Sequence, residues 1–539
     1  MITIPACSAL RILLCFVLLL AARLGLAGSA DPAPSAPPPP NFLILLADDL
    51  GFSDLGCYGG EIATPHLDAL ARGGLRFTQF YNTGRCWPSR SALMSGHYPQ
   101  QIRMDPPRGR LPDWARLLPH HLKPRGYRSY HAGKWHIMGA PKVVADGGFD
   151  RSYRTTDDDR NFNPGNHLED DRPLGRVAPG SGYYTSTEYA NRLIGYLREH
   201  ASEHPAKPFL AYLAFTVPHF PLQAPAEDIA RIADRYSVGW DVIRERRANR
   251  ARQIGLFTGA AAPAEPGITP YWNMNPAALR QEIGADELGQ ALPWATLNAD
   301  QRRFQATKMA IHAAMVERMD REIGRVLDQV RAMKAFTNTV ILFASDNGAS
   351  AELINRGDRH DPKSVPGSAA SYLCLGPGWS SAANSPFRLH KSWVHEGGIS
   401  TPLVVHWPAG ITNVGALRHA PAHLVDVVPT ILELAVATPV FPTNAPPIAG
   451  TSLTSTFARD VSPSRQPLYF HHDHNRALRI GDWKIVSRRP ATNQWALHHL
   501  GDDRAEQQDL SATEPARLRA MAQQWEELTR QFAADAARP

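Results

Sequence analysis

The chain has 539 residues, 43% of them hydrophobic and 20% charged, which suits a globular protein with a large core, room for about two domains and no long disorder beyond the N-terminus. Its formal net charge of +6 raises the question of nucleic acid, but the most basic run, Arg244 to Arg252, interleaves an acid at helical spacing and reads as a solvated helix face. A mild positive field suits an anionic substrate better than DNA.

The first elements concern targeting. Arg11, an unbroken apolar run from Ile12 to Ala22 and small residues from Ala27 to Ala30 have the layout of a secretory signal peptide over 1–30. That run is too short to span a bilayer comfortably, so cleavage near Ala30 is expected, with an uncleaved anchor as the alternative. The Pro-rich stretch 31–40 reads as a stiff exposed linker. The mature chain is then exported, periplasmic or secreted, without stable membrane insertion and with no nucleic-acid partner.

Short apolar runs that end in polar residues follow. Asn41 to Ala47 reads as a buried parallel strand that runs straight into Asp48 and Asp49. Thr64 and Pro65 start a helix as N-cap and first turn, with Gly73 closing it. A strand from Tyr127 to Gly133 ends at Lys134, Trp135 and His136. A helix from Thr185 to Arg198 places Tyr189, Leu193 and Leu197 on one face, and a strand from Pro208 to Val217 ends at Pro218 and His219. Thr307 to Met333 is long and amphipathic, Thr339 to Ser345 ends at Asp346, Asn347 and Gly348, and Pro402 to Val405 is a further strand.

From Pro447 the pattern changes to short strands at Leu468–Phe470, Ala477–Ile480, Trp483–Val486 and Trp495–Leu497, then a helix from Glu514 to Ala533. The whole predicts an α/β fold: a large, mainly parallel or mixed sheet sandwiched by helices over a main domain at 41–446, with a smaller C-terminal subdomain of antiparallel sheet plus helix at 447–539. In such a sheet the polar strand ends converge on one edge, where ligands bind.

With the signal removed, Cys57, Cys86 and Cys374 remain, and an odd number cannot all pair in an oxidising compartment. Cys57 and Cys374 read equally as a disulfide or as two separate thiols, which leaves Cys86 over. Asp48, Asp49, Asp346 and Asn347 form an all-oxygen donor set suited to a hard divalent cation, and the lack of Cys or His among them argues against zinc. Each pair taken alone reads as an ordinary strand-end turn.

Cys86, Trp87, Pro88, Ser89 and Arg90, followed by Ser91 to His97, resemble the sulfatase signature, a Cys-x-Pro-Ser-Arg core in which a formylglycine-generating enzyme oxidises the Cys. The resemblance extends in order over 41 to 510: Ala47–Gly51, Gly133–His136, Ala214–Pro225, Ser345–Gly348, Pro386–Lys391, His395–Gly398 and Gly481–Lys484. It implies the alkaline-phosphatase-like fold and the hydrolysis of sulfate esters, arylsulfatase-like, with one calcium ion held by Asp48, Asp49, Asp346, Asn347 and residue 86.

The resemblance further implies that formylglycine at 86 is hydrated to a geminal diol whose metal-bound oxygen attacks sulfur, the second hydroxyl then expelling sulfate by collapse to the aldehyde. Arg90 would hold the diol and balance the acids, and Lys134 and Lys391 would neutralise the sulfate oxygens. His136 would assist deprotonation at 86, and His219 would protonate or hydrogen-bond the departing alcohol oxygen. The substrate would be a sulfated small molecule or carbohydrate. Two rivals stand: a phosphomonoester or phosphonate hydrolase of the same superfamily, and a catalytically silent sulfated-glycan binder.

Other features take blander readings. His471 to His474 reads as a loop lining the substrate cleft rather than as a metal site. Asp157 to Asp159 and His498–His499 read as solvated loops, and His390 and His395 divide evenly between substrate contact and structure. The stretch Tyr236 to Pro293 resembles an insertion of bacterial arylsulfatase-like members and offers no mechanistic handle; leaving-group recognition comes from such loops.

Overall fold

The computed structural model describes residues 38–106, 108–155, 160–232, 234–356, 359–491 and 493–538. The signal-peptide reading, most of the Pro-rich stretch and Asp157 to Asp159 lie outside these residues.

Ten strands build the main sheet: β1 (Asn41–Asp48), β2 (Leu75–Phe77), β3 (Arg128–Gly133), β4 (Arg151–Thr155), β5 (His167–Glu169), β6 (Arg172–Gly175), β7 (Phe209–Pro218), β8 (Thr339–Ser345), β9 (Leu403–His406) and β10 (Leu417–Arg418). Their order is β10-β2-β9-β8-β1-β7-β3-β4-β5-β6. The central five, β8-β1-β7-β3-β4, are parallel. Antiparallel pairs flank them, β9 with β8 and β2 on one side and β4–β5–β6 on the other. The expected strand from Pro402 is therefore present but runs against its neighbours.

Strand residues alternate between two buried faces. Leu43, Leu45 and Ala47 of β1 join a core with Met309, Met315 and Val316 of the long helix and with Tyr189 and Leu193. Phe42, Ile44 and Leu46 point the other way, into a core that holds Leu93, Met94, Val428 and Ile431. Coverage on both faces is why the central strands read as unbroken apolar runs.

The helices that frame the site are α1 (Pro65–Arg72), α2 (Cys86–Ser95), α3 (Thr185–Glu203), α4 (Trp240–Gln253), α5 (Ala299–Ala332) and α6 (Pro515–Ala537). Asn298 caps α5 by accepting from the Gln301 N–H, and the Gln301 side chain reaches back to the Asn298 N–H, a reciprocal cap that starts this helix eight residues before the position read from its apolar stripe. No helix among the described residues is long and apolar enough to cross a membrane.

A second sheet, β11 (Leu468–His472), β12 (Asn475–Ile480), β13 (Trp483–Ser487) and β14 (Ala496–His499), is wholly antiparallel. One face packs Tyr469, Leu478 and Ile485 against Met521, Trp525 and Phe532 of α6. The other packs Phe470, Ala477 and Val486 against Tyr81, Val394 and Ile399. A buried ion cluster pins this second contact: Lys484 Nζ lies 2.9 Å from Glu396 and 2.8 Å from Glu506, and the Tyr81 hydroxyl donates to Glu396 at 2.8 Å. The Glu396 and Lys484 positions of the sulfatase-like motifs thus fasten the small sheet to the short helix Glu396–Ile399.

Two sequence readings need correction. Arg247 does not lie on a solvated face: it is buried between Asp54 at 2.7 Å and Glu61 at 2.8 Å. It shares the inner face of α4 with Ile243 and Ala251, one turn to either side, while Arg246, Arg250 and Arg252 are exposed. His498 is not in a solvated loop but buried in β14, where its Nδ1 meets the Gln508 carbonyl oxygen at 2.8 Å. Of the two readings open for Cys57 and Cys374, the structure shows separate free thiols.

Candidate active site

The parallel register delivers four polar strand ends to one edge. Ala47 pairs with Ser345 and Asp48 with Pro218, and Gly133 pairs with Ala214 of β7. The residues that follow, Asp49, Asp346, His219 and Lys134, therefore emerge side by side. Gly133 allows this close approach: it sits at φ +130°, and a Cβ there would meet the Ala214 oxygen at 1.9 Å, a position only glycine tolerates.

Cys86 is the first residue of α2, preceded by Arg85 in extended conformation; the helix closes at Gly96 in the left-handed region. At a helix start the unpaired N–H groups and the macrodipole favour negative charge. Arg90 lies one turn on and is fully buried. Its Nε is 2.8 Å from Asp346 and its Nη2 3.6 Å from Asp48, while Nη1 donates to the Lys134 carbonyl oxygen at 2.7 Å. A charge on Cys86 acts on Arg90, Lys391 and Asp346 alike, which puts residue 86 within the same charge cluster.

The acids lie against one another. Asp49 N–H donates to Asp346 Oδ1 at 3.3 Å, and Asn347 Nδ2 donates to Asp49 Oδ1 at 2.6 Å. Ser345 ties the two strand ends, accepting from the Leu50 N–H at 3.1 Å and donating to the Asn347 carbonyl oxygen at 2.9 Å. Lys134 Nζ is 2.6 Å from Asp48 and Lys391 Nζ 2.9 Å from Asp49.

Burial and the neighbouring carboxylates raise Asp346 well above the usual carboxylate range and raise Asp49, against Arg90 and Lys391 respectively. Asp48 goes the other way: burial pushes it up, but Lys134, His219 and Arg90 hold it low. Among the described residues no hydrogen-bond donor meets the buried Asp48 Oδ1 or Asn347 Oδ1. Oxygens desolvated in this way are costly unless a cation meets them. The oxygen-only donor set fits a hard divalent ion.

His219 approaches the same acids, its Nε2 3.8 Å from Asp49, and ligand atoms of Asp48, Asp49 and His219 lie within 4.8 Å of one another. Burial, with Lys391, holds this imidazole well below its ordinary range. Its Nδ1 is 2.5 Å from the Phe220 carbonyl oxygen, which only a protonated Nδ1 satisfies, so the neutral ring carries its lone pair on Nε2. His136, at φ +52°, packs edge-on to Trp87 at 5.9 Å. The structure thus brings Asp48, Asp49, Asp346, Asn347, Cys86, Arg90, Lys134, His219 and Lys391 together, with His136 one ring away.

Two contributors escaped sequence reasoning. Glu352 is a buried carboxylate 3.1 Å from Lys391 and 2.9 Å from Arg85, whose Nη1 donates to Ser392 at 2.6 Å. Asp105 pairs with His472, whose ring packs on Trp87 at 5.5 Å. His472 is therefore a buried, partnered residue beside the site. His390 is structural: it is buried, meets Ser380 Oγ at 2.9 Å, and is pushed down to about 3 by burial and Arg244. His395 is likewise buried, at the start of the short helix Glu396–Ile399.

Acids, lysines and an imidazole thus gather around the first residue of a buried helix at the carboxyl edge of a parallel sheet, where sheets of an alkaline-phosphatase-like architecture bind ligands. The family model described as Sulfatase matches residues 40–437; the chain belongs to the sulfatase family and is a sulfuric ester hydrolase. An uncharacterized sulfatase of Schizosaccharomyces pombe is 29% identical, covering 90% of this chain and 92% of its own length. The arylsulfatase of Klebsiella aerogenes is also 29% identical, over 74% of this chain and 86% of its own. Among solved structures, Ps i-CgsB superposes with a TM-score of 0.65 at 22% identity, covering 93% of this chain and 94% of that one. Another, captured with its substrate D-glucosamine-2-N,6-O-disulfate, gives 0.63 at 18% identity, over 92% and 98%.

Proposed function

We propose that this sulfatase is an exported enzyme, matured by a formylglycine-generating enzyme at Cys86, that hydrolyses aryl or carbohydrate sulfate esters with a calcium ion held by Asp48, Asp49, Asp346, Asn347 and residue 86. The observation that carries the reading is the pair of donorless buried oxygens, Asp48 Oδ1 and Asn347 Oδ1, among crowded acids. The relatives with named substrates include an arylsulfatase and an N-acetylgalactosamine-6-sulfatase, and a structural neighbour binds a disulfated glucosamine; a sulfated sugar is the substrate class we carry over.

When bound, the ion supplies Lewis-acid stabilisation of negative oxygen at residue 86 and on the sulfate. Formylglycine there supplies a hydrated carbonyl in place of a thiol. The chain's own residues do the rest. Arg90, paired with Asp346 and Asp48 and donating to backbone oxygens, offsets the acids, holds them in place and holds the diol at 86. Lys391 spends protons on Asp49 and Glu352 and directs its third toward a sulfate oxygen; Lys134 approaches from the Asp48 side. His136 hydrogen-bonds the hydroxyl at 86. His219 Nε2 faces the departing oxygen, and the anionic substrate favours the protonated ring it needs for donation.

The test compares turnover of 4-nitrophenyl sulfate with that of 4-nitrophenyl phosphate by the exported protein. Dominant sulfate turnover is expected, whereas dominant phosphate turnover would assign the site to phosphoester chemistry.

A further inference from the structure

A cavity of about 350 Å³ lies beside the site, walled by the loop from Gly267 to Trp272, by Ser392 and Trp393, and by two connections of the small sheet, one carrying Asp473 and the other Arg488 and Arg489. Its size falls in the ~300–1,000 Å³ range of small-ligand sites. It is joined to the catalytic cluster directly. Ser392 follows Lys391, takes the hydrogen bond of Arg85, and donates its N–H to the Gly84 oxygen at 2.7 Å. Trp272 Nε1 donates to Glu352 at 2.8 Å, the carboxylate that also holds Lys391.

The wall has two chemical characters. Tyr271, 65% exposed, and Trp272 meet edge to face at 4.8 Å, and with Trp393 they offer apolar ring faces. Charge comes from Arg488 and Arg489 against one carboxylate, Asp473. Arg489 is held in place, 3.5 Å from Asp473 and 4.1 Å over the Tyr271 ring. Arg488 is half-buried, and among the described residues no carboxylate forms an ion pair with it. A guanidinium on a cavity wall without a carboxylate partner can pair with an anion there, and its planar fork matches carboxylate or sulfate.

We propose that this cavity receives the leaving-group side of the substrate and takes a sugar residue bearing a second anionic group, a carboxylate or a further sulfate. The inference rests on the sulfatase reading above. The sugar stacks on the aromatic wall while Arg488 pairs with its second charge.

Equilibrium binding to the full chain carrying Cys86→Ala, which prevents turnover, tests this with three disaccharides: neutral lactose, unsulfated chondroitin disaccharide with a single carboxylate, and disulfated chondroitin disaccharide. At least one anionic disaccharide is expected to bind about tenfold or more tighter than lactose, and Arg488→Gln or Tyr271→Ala to remove about tenfold of that affinity. Binding of the unsulfated disaccharide assigns the pocket to a carboxylate; binding of the disulfated one alone assigns it to sulfate. Equal affinity for lactose, or no change in both variants with unaltered circular dichroism, overturns the proposal. Turnover of 4-nitrophenyl sulfate by the parent enzyme without charge-dependent saccharide binding removes the pocket alone. Charge-dependent binding without turnover removes the sulfatase mechanism instead.

Discussion

Stripping divalent ions with a chelator and adding calcium back perturbs a cluster of crowded acids in which two buried oxygens lack donors. Asp48, Asp49 and Asp346 are almost fully buried, and Asp48 Oδ1 and Asn347 Oδ1 find no N–H or O–H. An unfolded chain cannot assemble residues nearly 300 positions apart, so calcium binds only the folded form. At a calcium concentration one hundred times Kd the folded state gains about 2.7 kcal/mol. With about 2.1 cal/mol/K of unfolding entropy per residue, the compact unit from Pro40 to Pro539 unfolds with roughly 1 kcal/mol/K, so the calorimetric Tm rises by about 2–3 °C. Asp48→Asn, which weakens the site, flattens that rise. A Tm indifferent to calcium up to millimolar concentration, or a rise preserved in full by Asp48→Asn, would refute the reasoning.

Other outcomes follow from the same contacts. Cys86→Ala abolishes sulfate-ester hydrolysis with the fold intact, and Cys86→Ser is inactive too unless the host's maturation system accepts serine; rates and circular dichroism check both. Lys391→Ala lowers kcat/KM by about 10²–10³, the scale of one electrostatic stabiliser removed, read by steady-state kinetics. His219→Ala slows a sugar sulfate by about 10²–10⁴ but 4-nitrophenyl sulfate far less, because nitrophenolate leaves without a proton; equal losses on both would remove His219 from the leaving-group side. Burial raises Asp54, but His312 and Arg247 overcome this and hold it at about 2. Ordinary aspartate titrates near 3.9, so Asp54 contributes about 2 kcal/mol of stability above pH ~4, lost as pH falls toward 2. Arg247→Met strands Asp54 and Glu61 and costs about 3–5 kcal/mol at pH 7, a penalty that shrinks as pH falls and the two carboxylates take up protons, as denaturant titrations across pH would show.

The central architecture was legible because parallel strands covered on both faces leave continuous apolar runs, and those at β1, β3, β7 and β8 each end in the polar residue the site uses. The sheet's flanks were not. β2 has three residues, β10 two, and β6 is exposed throughout; their pairing comes from tertiary partners that no local pattern announces. Charge is where sequence reading was weakest. Arg247 looked like its neighbours on α4, and only its spacing between Ile243 and Ala251 marked it as inward. Glu352 had no motif at all, since its partners Arg85 and Lys391 are distant in the chain. His498 was read as loop because two adjacent histidines look polar, although alternation along β14 sends one of them inward.

The central claim is that residue 86 is converted and that the converted residue performs the chemistry. Mass analysis of the peptide spanning residue 86, from exported and fully active protein, measures this directly. The account predicts a peptide in which sulfur is replaced by oxygen with loss of two hydrogens, in proportion to sulfate-ester turnover across preparations. A fully active preparation whose Cys86 remains a thiol would contradict it.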